Sequence, residues 1–101
     1  MRNVRLSKSF RDEFARLLAQ GVRFGPRVVA DKNRRVVDAI ERVLVTNPKR
    51  PIDPLLGICA YHVAKTPFVL LYDYDEHELR VHLVIHAKAD RALIDLSTVV
   101  W

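Results

Sequence analysis

Between positions 80 and 91 the sequence spaces five groups that could move protons or hold a phosphate: Arg80, His82, His86, Lys88 and Arg91. An unperturbed histidine titrates near pH 6.5 and so exchanges protons at neutral pH. RNA cleavage would need such a base for the 2′-hydroxyl, an acid for the leaving oxygen and cations for the phosphate. Regular strand alternation puts Arg80, His82, Val84 and His86 on one face and Leu79, Val81, Leu83 and Ile85 on the other, with the two histidines about 13 Å apart. Any half-buried strand shows the same pattern, so a solvated or partner-covered face is the competing reading, and the residue types favour it over catalysis. Four scattered histidines without matching carboxylate spacing give no reason to expect a metal, and nothing in the sequence calls for a cofactor.

Other charged groups divide in the same way. Arg34-Arg35 and Lys49-Arg50 could touch a nucleic-acid backbone, although dibasic pairs are common on solvated helix faces. Asp73, Asp75, Glu76 and Glu78 resemble a catalytic carboxylate cluster, but their place between two apolar runs marks a hairpin turn, which aspartate favours. Trp101 could cover the sheet, lie in a dimer seam or anchor a partner. Cys59, the single cysteine, lies in the apolar stretch ICAYHV and reads as a buried, inert thiol.

These groups must be carried by one domain of 101 residues, half of them hydrophobic, enough for a packed core. Residues 1–50 contain 13 Lys and Arg against 5 Asp and Glu, whereas residues 51–101 contain 4 against 7. A basic half predicts an acidic partner: nucleic acid, ribosome or an acidic protein segment. No apolar run approaches the roughly 20 residues of a membrane span, and MRNVRLSKSF has no secretory signal pattern. With an unpaired cysteine, these features predict a cytoplasmic location and no membrane partner.

The elements follow from periodicity. Asn3 to Leu6 alternates as a short strand does. Ser7 or Ser9 could cap the next helix, with Ser9-Phe-Arg-Asp12 as a variant capping box. Phe10, Phe14, Leu17 and Leu18 form its apolar stripe, and Gly21 and Gly25-Pro26 end it and begin a second helix reaching about Thr46. The proline-rich stretch NPKRPIDP is a loop. Ile58 to Val63, Phe68 to Tyr74 and Leu79 to His86 read as strands, the middle one apolar on both faces. The predicted class is α+β, in the order β-α-α-β-β-β: a helical hairpin packed on a small antiparallel sheet.

The run TPFVLLYDYDEHELRVHLVIHAKADR, together with VVDAIERVLVTNP and PLLGI upstream, resembles the RelE/ParE superfamily of bacterial toxins over about residues 1–91. Thr66-Pro67-Phe68, Tyr72 and Ile85-His86-Ala87-Lys88-Ala89-Asp90 carry the likeness, which is closer to the ParE branch. The resemblance implies the toxin of a type II toxin–antitoxin system, as used in plasmid stabilisation and growth arrest. Such a toxin is neutralised by an acidic antitoxin, with a homodimer or a heterotetramer with the antitoxin as candidate assemblies. ParE-like members are taken to poison DNA gyrase without chemistry of their own; RelE-like members cut mRNA on the ribosome. Pro67-Phe68 stands where RelE-like sequences carry a Tyr-Arg pair, and DLSTVVW contains no tyrosine, so gyrase inhibition is the expected activity. RNA cleavage by His82, His86, Lys88 and Arg91 is the alternative, and a non-toxic antitoxin-binding scaffold a third. On the first reading Arg80, His82, His86, Lys88, Arg91 and Trp101 form an antitoxin- or target-binding face, with Arg34 and Arg35 as a basic patch.

Overall fold

A computed structural model describes residues 1–101. Strand β1 (Asn3–Leu6) leads into helix α1 (Lys8–Gln20), and a turn at 21–25 returns the chain into helix α2 (Pro26–Asp38). Strands β2 (Cys59–His62), β3 (Phe68–Tyr74) and β4 (Glu78–His86) follow, then an irregular segment to Trp101. The predicted order and class are therefore observed. The sheet order is β1-β4-β3-β2, and β1 joins it parallel to β4 while the other pairs are antiparallel. The sheet is thus mixed, because the helical hairpin carries the chain from β1 across one face to the far edge.

Ser7 settles which serine caps α1. Its extended backbone (φ −67°, ψ 156°) aims Oγ at the Phe10 amide, 2.7 Å away, while the same hydroxyl donates to the His82 carbonyl at 2.5 Å. One fully buried side chain thus satisfies a helix end and ties it to β4. The capping box expected from Ser9 does not form: Ser9 exchanges hydrogen bonds with Val100, and Asp12 pairs with Lys8 instead.

Pro26 opens α2 with the fixed φ that suits a first helical turn, after Gly25 at φ 100°, ψ 157°, a conformation reserved almost entirely for glycine. The second helix does continue towards Thr46, but it widens into a π-turn over Ala39–Leu44, closed by Val45 N–H to the Ile40 carbonyl. That widening buries Ala39, Ile40, Leu44 and Val45 together, which a regular 3.6-residue period would spread around the helix.

The main core lies between the helices and one sheet face. Phe10, Val36, Ile40 and Leu44 meet Phe68, Leu70, Tyr72, Leu79, Val81 and Val84 there. On the other face Val69, Leu71 and Ile85 are covered by Leu56 and Ile58 from the loop and by Ile94 and Leu96 from the C-terminal segment. Strand β3 is therefore buried on both sides, as its continuous apolar run predicts.

Alternation along β4 does not run through. Tyr72 pairs with Val81 but Leu71 pairs with Leu83, so His82 is an extra residue opposite no partner. This β-bulge resets the pleat. Leu79 and Val81 face the helices, and after the bulge Val84 does so too, whereas Leu83 and Ile85 lie against the C-terminal segment. The expected shared face of Arg80, His82, Val84 and His86 is corrected accordingly.

Candidate functional site

The bulge separates the two histidines that the nuclease alternative would need together. The His82 ring stands edge-on to Trp101, with centroids 4.7 Å apart, and Arg5 stacks on the same indole at 4.9 Å. Its Nε2 is buried, lies 3.4 Å from Asp73 Oδ1 and makes no hydrogen bond. Trp101 is placed there because Val100 is fixed to Ser9 at the start of α1. Of the roles open to it, Trp101 thus covers the bulged end of β4, joining C-terminal segment, β1 and β4.

Arg80 is not free to meet a substrate. Its guanidinium bonds Asp73 at 2.7 Å and Asp75 at 2.9 Å, and it lies 3.3 Å from Glu78. Asp75 also accepts from the His77 and Glu78 amides, closing the turn before β4. The acidic run is therefore a turn and a clamp on one arginine. The Arg80 guanidinium, helped by the two amides, holds the Asp75 carboxyl down at about 2, from an ordinary 3.8. A lowered acid adds stability that is whole above about pH 4 and is lost as pH falls through about 2. Arg80→Met should flatten that loss in acid-unfolding curves. At pH 7 it should change stability little, because exposed ion pairs are screened by solvent.

His86 and Lys88 lie past the bulge, both exposed. The Lys88 amide donates to His86 Nδ1 at 3.0 Å, so the neutral ring carries its proton on Nε2. Arg91 turns away from both. Its Nε sits 2.8 Å from Asp53 Oδ2 without pointing a hydrogen at it, an ion pair that fastens the C-terminal segment to the loop before β2. Asp53 in turn caps the Leu55 and Leu56 amides. The four residues proposed for nuclease chemistry are thus not assembled: His82 and His86 lie on opposite faces, and Arg91 is taken up in holding the loop.

The basic patch is better formed than the dibasic spacing suggested. Arg34, Arg35 and Arg42 of the second helix border a shallow cavity of about 250 Å³ whose other wall is Tyr61, Val63 and Ala64 at the outer edge of the sheet. Arg50 stacks over Tyr61 at 5.1 Å. Arg34 and Arg35 both pair with Asp31, and Arg42 approaches Asp38 at 3.6 Å. Sequence reasoning singled out Arg50 only within the separate Lys49-Arg50 pair and missed Arg42 and Tyr61; the fold brings the loop, β2 and α2 together. Cys59 is buried, with its thiol against the Arg50 carbonyl. No group of three His, Cys, Asp or Glu side chains is arranged to hold a metal ion, and no helix is long and apolar enough to cross a membrane. Comparison with protein-family models, with curated proteins and with solved structures found no match to this chain.

Proposed function

We propose that the protein is the toxin of a type II toxin–antitoxin pair, neutralised by an acidic antitoxin, and that it arrests growth by binding DNA gyrase rather than by cutting RNA. The observation that carries this reading is the cationic surface beside an open strand edge. Strand β2 has β3 on one side; on the other, Ile52 bridges Cys59 alone, and Ala60–His62 have no strand beside them. Its free backbone groups can take up an extended segment, and acidic side chains of that segment would meet Arg34, Arg35, Arg42 and Arg50. The intrahelical pairs that now hold Arg34, Arg35 and Arg42 are exposed and weak, and so are readily exchanged for a partner's carboxylates, while Arg50 bonds only backbone carbonyls. The dispersal of His82, His86, Lys88 and Arg91 supports binding over catalysis.

Inducible expression in a bacterium without the antitoxin tests this directly, with growth, DNA-damage response and reporter mRNA followed together. Growth arrest with damage induction and intact mRNA is expected. Arrest with rapid mRNA cleavage would overturn the gyrase reading in favour of the nuclease. Soluble protein without arrest would leave a scaffold that binds an antitoxin-like partner.

A further inference from the structure

A second cationic site lies at the opposite end of the helical hairpin. The turn between the helices brings Arg23 and Phe24 towards Lys32 of α2, and the end of β4 brings His86 to the same place. Together with Leu17, Pro67 and Phe68 they line a cavity of about 160 Å³. That is roughly five times the volume a water molecule occupies in the liquid, about 30 Å³, and enough to admit a phosphate group.

Two properties mark this cavity. No carboxylate lines it, and none of Arg23, Lys32 and His86 takes part in an ion pair. By contrast Arg34, Arg35, Arg42, Arg80 and Arg91 each have an acidic partner within the chain. Cations gathered without a counter-charge repel one another and are relieved by an anion. The second property is aromatic: Phe24 is 59% exposed, a large apolar ring left in water, and the Arg23 guanidinium stacks on it at 4.8 Å. Bases stack on phenylalanine rings and on arginine planes alike.

The geometry points to a binding site for one nucleotide of an unpaired nucleic-acid strand. Its phosphate is held by Arg23, Lys32 and the Nε2–H of His86, and its base lies on the Phe24–Arg23 platform. Lys32, with Nζ 6.0 Å from the Phe68 ring, is half-buried and so defines one wall of the phosphate position. A duplex keeps its bases stacked internally and offers nothing to the platform, so the preference is for single strands. The site is separate from the surface assigned to the antitoxin and does not depend on the protein being toxic.

Fluorescence anisotropy of the purified protein with a labelled eight-nucleotide oligothymidine, across a salt series, tests the assignment. Phe24→Ala should weaken binding roughly 5- to 150-fold, the range for loss of one base–aromatic stack. Lys32→Ala should lower the slope of log affinity against log salt by about 0.7, one phosphate contact on a single strand. Lys8→Ala, which removes the same charge from the far end of α1, should change neither. Equal losses from Lys8→Ala and Lys32→Ala would overturn the proposal, leaving only diffuse charge. It would likewise fall if a duplex of equal length bound as tightly, if a phosphoserine peptide displaced the oligonucleotide, or if wild-type protein failed to bind at low salt. Thymidine monophosphate in place of the oligomer separates a free-nucleotide site, which it would saturate with equal affinity, from the strand site proposed.

Discussion

Val84→Asp should abolish folding. Val84 is fully buried against the helices, among Phe68, Leu70 and Leu79, and pairs across the sheet with Leu70. An ionised carboxylate there has no cationic partner, and an uncompensated buried charge destabilises by about 3–5 kcal/mol or more. That is comparable with the whole stability of a small domain, about 5–15 kcal/mol. Far-UV circular dichroism should show a largely unfolded chain. Val84→Thr, which buries only a hydroxyl, should remain folded and lose about 1–3 kcal/mol in urea titrations. Uninterrupted alternation would put Val84 beside Arg80 on the polar face and make both changes harmless, so a folded Val84→Asp protein would refute the bulge at His82.

This strand marks the boundary of what the residues reveal in order. Asn3–Leu6, the helical hairpin, the proline-rich loop and the hairpin of β3 and β4 all follow from local patterns: period, caps and turn residues. The bulge does not. In ELRVHLVIH alternation holds up to His82 and gives way to the apolar run Leu83-Val84-Ile85. A strand covered on both faces shows such a run equally well, so it does not by itself announce an extra residue. Register is decided by packing: Val84 and Ile85 are both buried, against different layers. For the same reason the proposed site could be read only in part. Arg34-Arg35 and Lys49-Arg50 were visible as separate pairs, but contacts between distant segments bring Arg50 and Tyr61 beside the arginines of the second helix. The loss of Arg80 to three carboxylates and of Arg91 to Asp53 also depends on loop geometry that periodicity does not contain.

Tyr72→Phe should carry the second-largest penalty, and a pH signature with it. The Tyr72 side chain is fully buried, and its hydroxyl donates to the Pro48 carbonyl at 2.6 Å, which fixes the proline-rich loop to the core. Removing the hydroxyl leaves a buried carbonyl unsatisfied, at about 1–3 kcal/mol. Burial pushes the phenol well above its ordinary 10, with the neighbouring Cys59 acting in the same direction. A raised value means that the folded chain keeps its proton when the unfolded chain has lost it. The contribution is therefore complete below pH 10 and is progressively lost as pH rises above it. Urea titrations at pH 8 and pH 11 should show wild type losing stability between the two, and Tyr72→Phe, weaker at pH 8, losing less. Equal alkaline losses in both proteins would show that Tyr72 is not the group responsible.

The parallel pairing of β1 with β4 joins Asn3 to Glu78 and Leu6 to Val81. A contact across so many residues is slow to form, because the intervening chain must first be brought together. On the ribosome, β1 is made first and has nothing to pair with until β4 has been synthesised. The helical hairpin, whose contacts are local, can form in the meantime, followed by β2 and β3. The capping hydroxyl of Ser7 reaches the His82 carbonyl only when β4 arrives, so the start of α1 is completed late in assembly. A nascent chain halted before β4 would leave Leu6 and the core residues that pack against Leu79 and Val81 exposed as an open seam. That makes partial products of this protein candidates for chaperone capture, and the pairing of its first strand the step that closes the fold.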